Sequence, residues 1–263
     1  MKKLLFLTVL IFSSMFILNA QDVPTPPEKK QNPQMNFVKV NITSIALKNY
    51  AFQYERVLTK RISVGLSFRT MPSTTLPFKS SIINAMDNPD QQAIDAINAV
   101  KVNNIAITPE VRFYLGKKGY GRGFYIAPFY RFAKYGASDL TVNFEEETSP
   151  GVFVDHEVTM SGNLNTHTGG IMFGVQWALG KYVSLDWWIL GPAFGVSSGN
   201  LLGVSDVAIP EEGKQEMTNT INDIDIPMVT KTISFSNDSK SVMVDLTGPW
   251  AGIRSGIVFG FKF

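Results

Sequence analysis

Ile253-Arg254-Ser255-Gly256-Ile257-Val258-Phe259-Gly260-Phe261-Lys262-Phe263 decides the fold class of this chain. Ile257, Phe259, Phe261 and Phe263 recur every second residue, with Arg254, Gly256, Gly260 and Lys262 between them. Side chains alternate across a strand, so the segment is a strand with one apolar face and one polar or glycine face. A strand of this kind, ending on an aromatic residue, is what a transmembrane β-barrel needs to close on itself.

Working back from it, the same period of two returns. In residues 62–69, Ile62, Val64, Leu66 and Phe68 oppose Ser63, Gly65, Ser67 and Arg69. In residues 105–115, Ile105, Ile107, Pro109, Val111, Phe113 and Leu115 oppose Ala106, Thr108, Glu110, Arg112 and Tyr114. In residues 124–132, Phe124, Ile126, Pro128, Tyr130 and Phe132 oppose Tyr125, Ala127, Phe129 and Arg131. Residues 170–179 and 183–189 alternate likewise, the latter with Val183, Leu185, Trp187 and Ile189 against Ser184, Asp186 and Trp188. Two weaker strands precede these. Tyr50, Phe52 and Tyr54 alternate with Ala51, Gln53 and Glu55, and residues 37–47 set Val38, Val40 and Ile42 against Lys39, Asn41 and Thr43. With the terminal strand the chain has eight. Pro109 and Pro128 fall mid-strand, where each removes a ladder donor, so bulges or local bends are expected at both.

The connections sort by length. Thr59-Lys60-Arg61, residues 116–123 and Gly180-Lys181 are short; residues 72–104, 133–166 and 197–252 are long, and only the Lys48-Asn49 link breaks the order. Short turns at one end and long loops at the other is the plan of an up-and-down outer-membrane barrel, turns in the periplasm and loops outside, which puts both ends of an even-stranded chain in the periplasm. Asn88-Pro89-Asp90 offers a cap, a first-turn proline and an acid ahead of Ile94, Ile97 and Val100, so a short helix over residues 89–100 is expected, packed on the barrel mouth. Glu145, Glu146 and Glu147 mark the expected tip of the middle loop.

The N-terminus agrees with that compartment. Lys2 and Lys3 precede a mostly apolar stretch over residues 4–18, and Asn19-Ala20 leads into a polar segment. Residues 1–20 read as a signal peptide cut after Ala20, the apolar run falling short of the about 20 residues a span wants. Residues 21–36 hold Pro24, Pro26, Pro27 and Pro33 with no apolar period, and read as a periplasmic linker. The remainder, residues 37–263, fits one domain. Removing Lys2 and Lys3 with the signal leaves 22 basic and 22 acidic residues, a balance that offers nothing to nucleic acid. Cysteine is absent, which removes disulfides, thiolate chemistry and cysteine metal sites together.

The inward face carries the candidate functional residues: Glu55, Arg69, Glu110, Arg112, Arg131, Asp186, Arg254 and Lys262. An eight-stranded barrel is just wide enough for side chains to fill, and charges in so dry a space must pair. The expected result is a salt-bridge network plugging the lumen, with glycines 65, 170, 174, 256 and 260 making room for the arginines; the alternative is a narrow selective channel. Tyr114, Phe124, Tyr125, Trp177, Tyr182 and Trp187 cluster at the short turns as an expected aromatic girdle. Catalytic, cofactor and metal sites are not expected. His167 stands near Ser161, Asn163, Asn165, Thr166 and Thr168, the parts of a hydrolase site without a spacing motif to join them, and His156 lies in the same loop. Asp223, Asp225, Glu211 and Glu212 follow no calcium-loop pattern, and the glycine- and lysine-rich residues 116–123 lack the helix a phosphate loop requires.

Ile107-Thr108-Pro109-Glu110-Val111-Arg112-Phe113-Tyr114-Leu115, then Gly123-Phe124-Tyr125-Ile126-Ala127-Pro128-Phe129-Tyr130, and the closing Phe263 together resemble the small outer-membrane barrels of the OmpA/OmpX type, and more closely the uncharacterised barrels of that superfamily. The resemblance spans about residues 37–263. It implies an outer-membrane monomer in contact with lipid, with Phe259, Phe261 and Phe263 as the signal read by the barrel assembly machinery. It leaves activity open, because that fold hosts adhesins, enzymes, plugs and channels. The expected role is structural or surface-interacting, with an extracellular ligand at the loops; a channel or transporter is the alternative, and a lipid-modifying enzyme a weaker one.

Overall fold

The computed structural model describes residues 34–86, 91–223 and 229–263. The expected signal peptide and nearly all of the linker lie outside the described residues. The strands are β1 (Asn36–Asn41), β2 (Tyr50–Val57), β3 (Ile62–Thr75), β4 (Lys101–Tyr114), β5 (Gly123–Ser149), β6 (Val152–Leu179), β7 (Val183–Val204), β8 (Thr230–Phe235) and β9 (Ser241–Lys262). Each pairs antiparallel with its neighbour in the order β1-β2-β3-β4-β5-β6-β7-β9, and β1 pairs with β9, so eight strands close a ring. The fold is an all-β, up-and-down barrel. The closing seam joins Phe37 to Lys262 and Asn41 to Val258. Asn36 and Phe263 exchange backbone hydrogen bonds of 3.1 and 3.0 Å at the end that carries the three short turns.

The barrel is inside-out relative to a protein folded in water. Phe52, Leu66, Phe68, Ile107, Phe113, Ile171, Phe173, Ile257, Phe259 and Phe261 face outward and are exposed, while Lys39, Glu55, Glu110, Arg112, Gln176 and Asp186 are buried. Strand alternation produces both faces at once.

The two prolines do not bulge the ladder. Along β4 and β5 the register Ile107↔Phe132, Glu110↔Phe129 and Phe113↔Ile126 continues without a shift. Pro109 still pairs with Leu66 of β3, and Pro128 with Ile171 of β6. Both place their missing N–H on the shared β4–β5 side, so the loss is confined to one seam. A register shift falls instead around Ile189 and Leu190, between Trp188 and Gly191 on the β9 side. It makes Trp188 and Gly191 both inward, and Gly191 leaves room there chiefly for Met172: a Cβ at this position would stand 2.5 Å from Met172 Cε and 3.2 Å from the Cβ of Arg254.

The long connections are more ordered than loops. β5 and β6 run for 27 and 28 residues and meet at Pro150 and Gly151, so Glu145, Glu146 and Glu147 lie within β5 and not at the tip. Beyond the ring, the inward face changes character. Val142, Phe144, Val158, Met160, Val242, Val244 and Leu246 form an apolar core with Ile209, Met217 and Ile221. The last two come from a helix read as loop in the sequence, α3 (Glu211–Asp223), whose spacing of four residues presents Met217 and Ile221 on one face. β8 pairs with β9 beside it.

Between β3 and β4 lie α1 (Lys79–Ala85) and α2 (Gln91–Ala99). α2 matches the expected helix; Asn88, Pro89 and Asp90 lie outside the described residues. It rests near Thr141 and Asn143, on the face of β5 opposite Val142 and Phe144. The place over the barrel mouth expected for it is held instead by α3, which packs on the apolar core there. The first strand also ends early: residues 43–47 form a 3-10 turn, with Lys48 in the left-handed region closing it.

Candidate functional site

The ring's lower half, toward the short turns, is filled by one polar cluster centred on Arg112. Its Nε donates to Glu110 Oε1 at 2.6 Å, Nη1 to Asp186 Oδ2 at 2.6 Å, to Gln176 Oε1 at 2.9 Å and to Glu55 Oε2 at 3.3 Å, and Nη2 to Gln53 Oε1 at 2.9 Å. The guanidinium lies over the Tyr125 ring, 4.4 Å from its centroid. Lys39 Nζ donates to Glu55, to Gln176 at 2.6 Å and to Asp186 at 2.9 Å. Glu55 also accepts from Ser63 at 2.5 Å and Tyr114 at 2.7 Å. Asp186 accepts from the Tyr125 hydroxyl at 2.8 Å and the Trp188 indole at 3.1 Å. Arg254 Nη1 reaches Glu110 Oε2 at 3.1 Å. Every strand of the ring contributes: Lys39 from β1, Gln53 and Glu55 from β2, Ser63 from β3, Glu110 and Arg112 from β4, Tyr125 from β5, Gln176 from β6, Asp186 from β7 and Arg254 from β9.

Three cations and three carboxylates thus neutralise one another inside the wall, the condition under which buried charge is tolerable. Each of the three carboxylates is engaged by at least one cation of the cluster.

Of the residues singled out from sequence, Glu55, Glu110, Arg112, Asp186 and Arg254 come together here. Arg69 and Arg131 lie above them, where Arg69 Nε donates to Asn104 at 3.0 Å and Arg131 Nε to Thr108 at 3.1 Å. Lys262 sits at the strand end, half-buried, away from the cluster. Lys39 was not among them, though it occupies the polar face of its strand and is fully buried. Tyr114 and Tyr125 are inside, 2% and 1% exposed, and not in the girdle; Phe124, Trp177, Tyr182 and Trp187 do face outward. The alternation of residues 105–115 and 124–132 carried that signal, and proximity to the turns overrode it. The glycines make room, yet mostly for other partners: Gly65 faces Glu110, Gly174 faces Tyr125 and Gly260 faces Lys39. Phe259, Phe261 and Phe263 line the outer surface, with Phe261 stacked between Tyr182 and Phe263 at 5.8 and 6.4 Å.

The hydrolase parts are dispersed. His167 faces outward, Nδ1 at 2.5 Å from the Tyr130 hydroxyl, while Thr166 and Thr168 point inward and donate to the carbonyls of Ala133 and Arg131. His156 pairs with Glu146 at 2.9 Å and stacks on Phe144. Glu211 pairs with Lys214 at 2.6 Å, and Asp225 and the Asp223 side chain lie outside the described residues. Among the described residues no group of acidic or imidazole side chains is arranged to hold a metal ion.

Comparison with solved structures returns Acinetobacter baumannii CarO, at 8% identity and a TM-score of 0.36, covering 90% of this chain and all of that one. Acinetobacter baumannii CarO2 follows at 11% and 0.33, covering 89% of this chain and all of that one. Scores this low leave the barrel to rest on its own strand register. No curated protein matches the chain. A family model described as a protein of unknown function, DUF3575, matches residues 6–195. That stretch takes in the first six strands of the ring and much of the seventh, and the chain belongs to the DUF3575 family.

Proposed function

We propose that this chain is an integral outer-membrane β-barrel protein whose lumen is closed by the Arg112 cluster and whose role is structural or surface-interacting. The observation that carries the reading is the pairing of an apolar outside with a self-neutralised charged inside contributed by all eight strands. In water the outward face would be an apolar surface well beyond the few hundred Å² a soluble monomer tolerates. In lipid it is the required one, and only a closed ring satisfies strand backbones there. The outward apolar run on β4, Ile105 to Phe113, spans the length of about 9–11 residues a tilted strand needs to cross. Phe124 to Phe132 on β5 matches it, and Lys134 ends it.

The turn-bearing end, with Lys60, Arg61, Lys117, Lys118 and Lys181 exposed, lies in the periplasm beside anionic headgroups. The opposite end, where α3 and the long strands rise beyond the belt, faces outside and is where a ligand at the loops would bind. The protein works as a monomer inserted by the barrel assembly machinery, which reads Phe259, Phe261 and Phe263. The test is fractionation with gel mobility before and after heating, joined to conductance in planar bilayers. Outer-membrane recovery, a heat-dependent mobility shift and no steady conductance are expected. A soluble location would overturn the membrane assignment, and a steady open pore would overturn the plug.

A further inference from the structure

Above the plug, the charge balance fails. Lys39, Arg112 and Arg254 are matched by Glu55, Glu110 and Asp186, but Arg69 and Arg131 stand on the same inward face with no carboxylate in ion-pair range among the described residues. Two positive charges are therefore left over in a space walled by protein, a costly arrangement unless something anionic joins them. The same place holds unused donors. Arg254 is 4% exposed, wedged between the rings of Phe129 and Trp188 at 4.5 and 4.7 Å, and its Nε and Nη2 have no partner. The Ser67 hydroxyl, also buried, has none either. Arg69 and Arg131 each commit only Nε, to Asn104 and Thr108. All four residues line one cavity of about 400 Å³.

The cavity also opens through the wall. Its lining includes inward Ser67 and Arg254 together with outward Trp187, Ile253 and Ile257. The reason is the short first strand. β9 pairs with β8 only over Val242 to Thr247 and with β1 only over Val258 to Lys262, so the edge between has no strand partner among the described residues. Asn41 and Thr43 stand there instead, and a Cβ on Gly256, at φ +153°, would meet Thr43 Oγ1 at 2.6 Å and Asn41 Nδ2 at 2.7 Å. A glycine at this point is what keeps the seam passable.

We propose that this cavity binds a phosphate monoester, its dianion held by Arg69, Arg131 and the free nitrogens of Arg254, with Ser67 as a further donor. A phosphate monoester carries a charge near −2 at neutral pH and three acceptor oxygens, matching both the two surplus charges and the several idle N–H groups. The volume exceeds what a bare anion fills and leaves room for a substituent. The seam faces the apolar surface, so that substituent can be an acyl-bearing glycerol lying along the wall, or a small soluble group.

The test uses the full chain, folded in a neutral maltoside detergent free of phosphate, with the intrinsic fluorescence of Trp187 and Trp188 as reporter. Glycerol phosphate is titrated in one arm and short-chain phosphatidic acid in the other. Saturable binding in either arm is expected, weakened tenfold or more by Arg69→Gln with Arg131→Gln, a pair outside the plug; heat-dependent gel mobility confirms that the variant is folded. Phosphatidic acid binding tenfold tighter than glycerol phosphate would identify a lipid reaching in from the side; equal binding would support the site with a soluble ligand. No saturable signal in either arm, or binding indifferent to the double substitution, would overturn the proposal. Binding by a chain that fractionates away from the outer membrane would leave this site standing and remove the membrane reading instead.

Discussion

Arg112→Met is the sharpest perturbation of the plug. The methionine nearly preserves volume and deletes five hydrogen bonds, to Glu110, Asp186, Gln176, Glu55 and Gln53. What remains is three carboxylates facing Lys39 and Arg254, an uncompensated negative charge in a fully buried setting. Breaking a buried pair from one side costs about 3–5 kcal/mol, because the orphaned charge keeps its desolvation penalty. With a urea slope of about 2 kcal/mol per M, the unfolding midpoint should fall by roughly 2 M. The assay is urea unfolding of the folded protein in lipid vesicles, read by unheated gel mobility and by tryptophan emission, since the Trp188 indole donates to Asp186 at 3.1 Å. The second half of the argument is non-additivity. Asp186→Asn alone should also destabilise, but added to Arg112→Met it removes the surplus charge, so the double variant should recover about 1–3 kcal/mol relative to the sum of the singles. An unchanged midpoint for Arg112→Met, or strict additivity, would refute the claim that these charges exist to cancel one another.

Depth along the outer face gives a second prediction: Ile107→Arg, mid-belt, should cost about 2–4 kcal/mol and Leu115→Arg, beside a turn, about 0–1 kcal/mol; equal penalties in vesicle-unfolding titrations would argue against a lipid-facing belt. Gly121 sits at φ +72° with a would-be Cβ 2.9 Å from Phe37 Cζ, so Gly121→Ala should lose about 1–3 kcal/mol in the same titration. Met217, fully buried on the apolar face of α3, should cost about 2–5 kcal/mol when replaced by alanine, but locally. Limited proteolysis should then cut within residues 205–240 while the ring keeps its gel shift, whereas loss of that shift would mean the outer core and the barrel unfold together. Phe263→Ala retains the backbone bonds to Asn36, so refolding in detergent should be normal while insertion in cells falls; equal loss in both would make Phe263 a packing residue and not an assembly signal.

Much of the ring was legible because alternation is a local property. Each strand of residues 105–115 or 124–132 carries its own two-residue period, so its outward and inward faces follow from sequence without knowledge of any partner. The upper helix α3 escaped because its apolar face is only Met217 and Ile221 in a polar stretch, and its partner Phe144 lies far away in β5. The early end of the first strand escaped because Ile42 continues the apolar alternation for one residue past the last paired position, Asn41.

The sequence by itself determined that eight alternating strands would present aromatic and aliphatic side chains on one face and charge on the other, with short turns at one end. Only the tertiary structure decided which charges meet. Lys39 joins Asp186 across 147 positions of chain, and Arg254 joins Glu110 across 144. Strand pattern says which way a side chain points but not its height in the ring; height follows from register, from the shift around Ile189 and from the closure of β1 on β9. Those same features leave Arg69 and Arg131 without carboxylates and the wall open beside Gly256, because pairing along β9 stops where β1 and β8 run out.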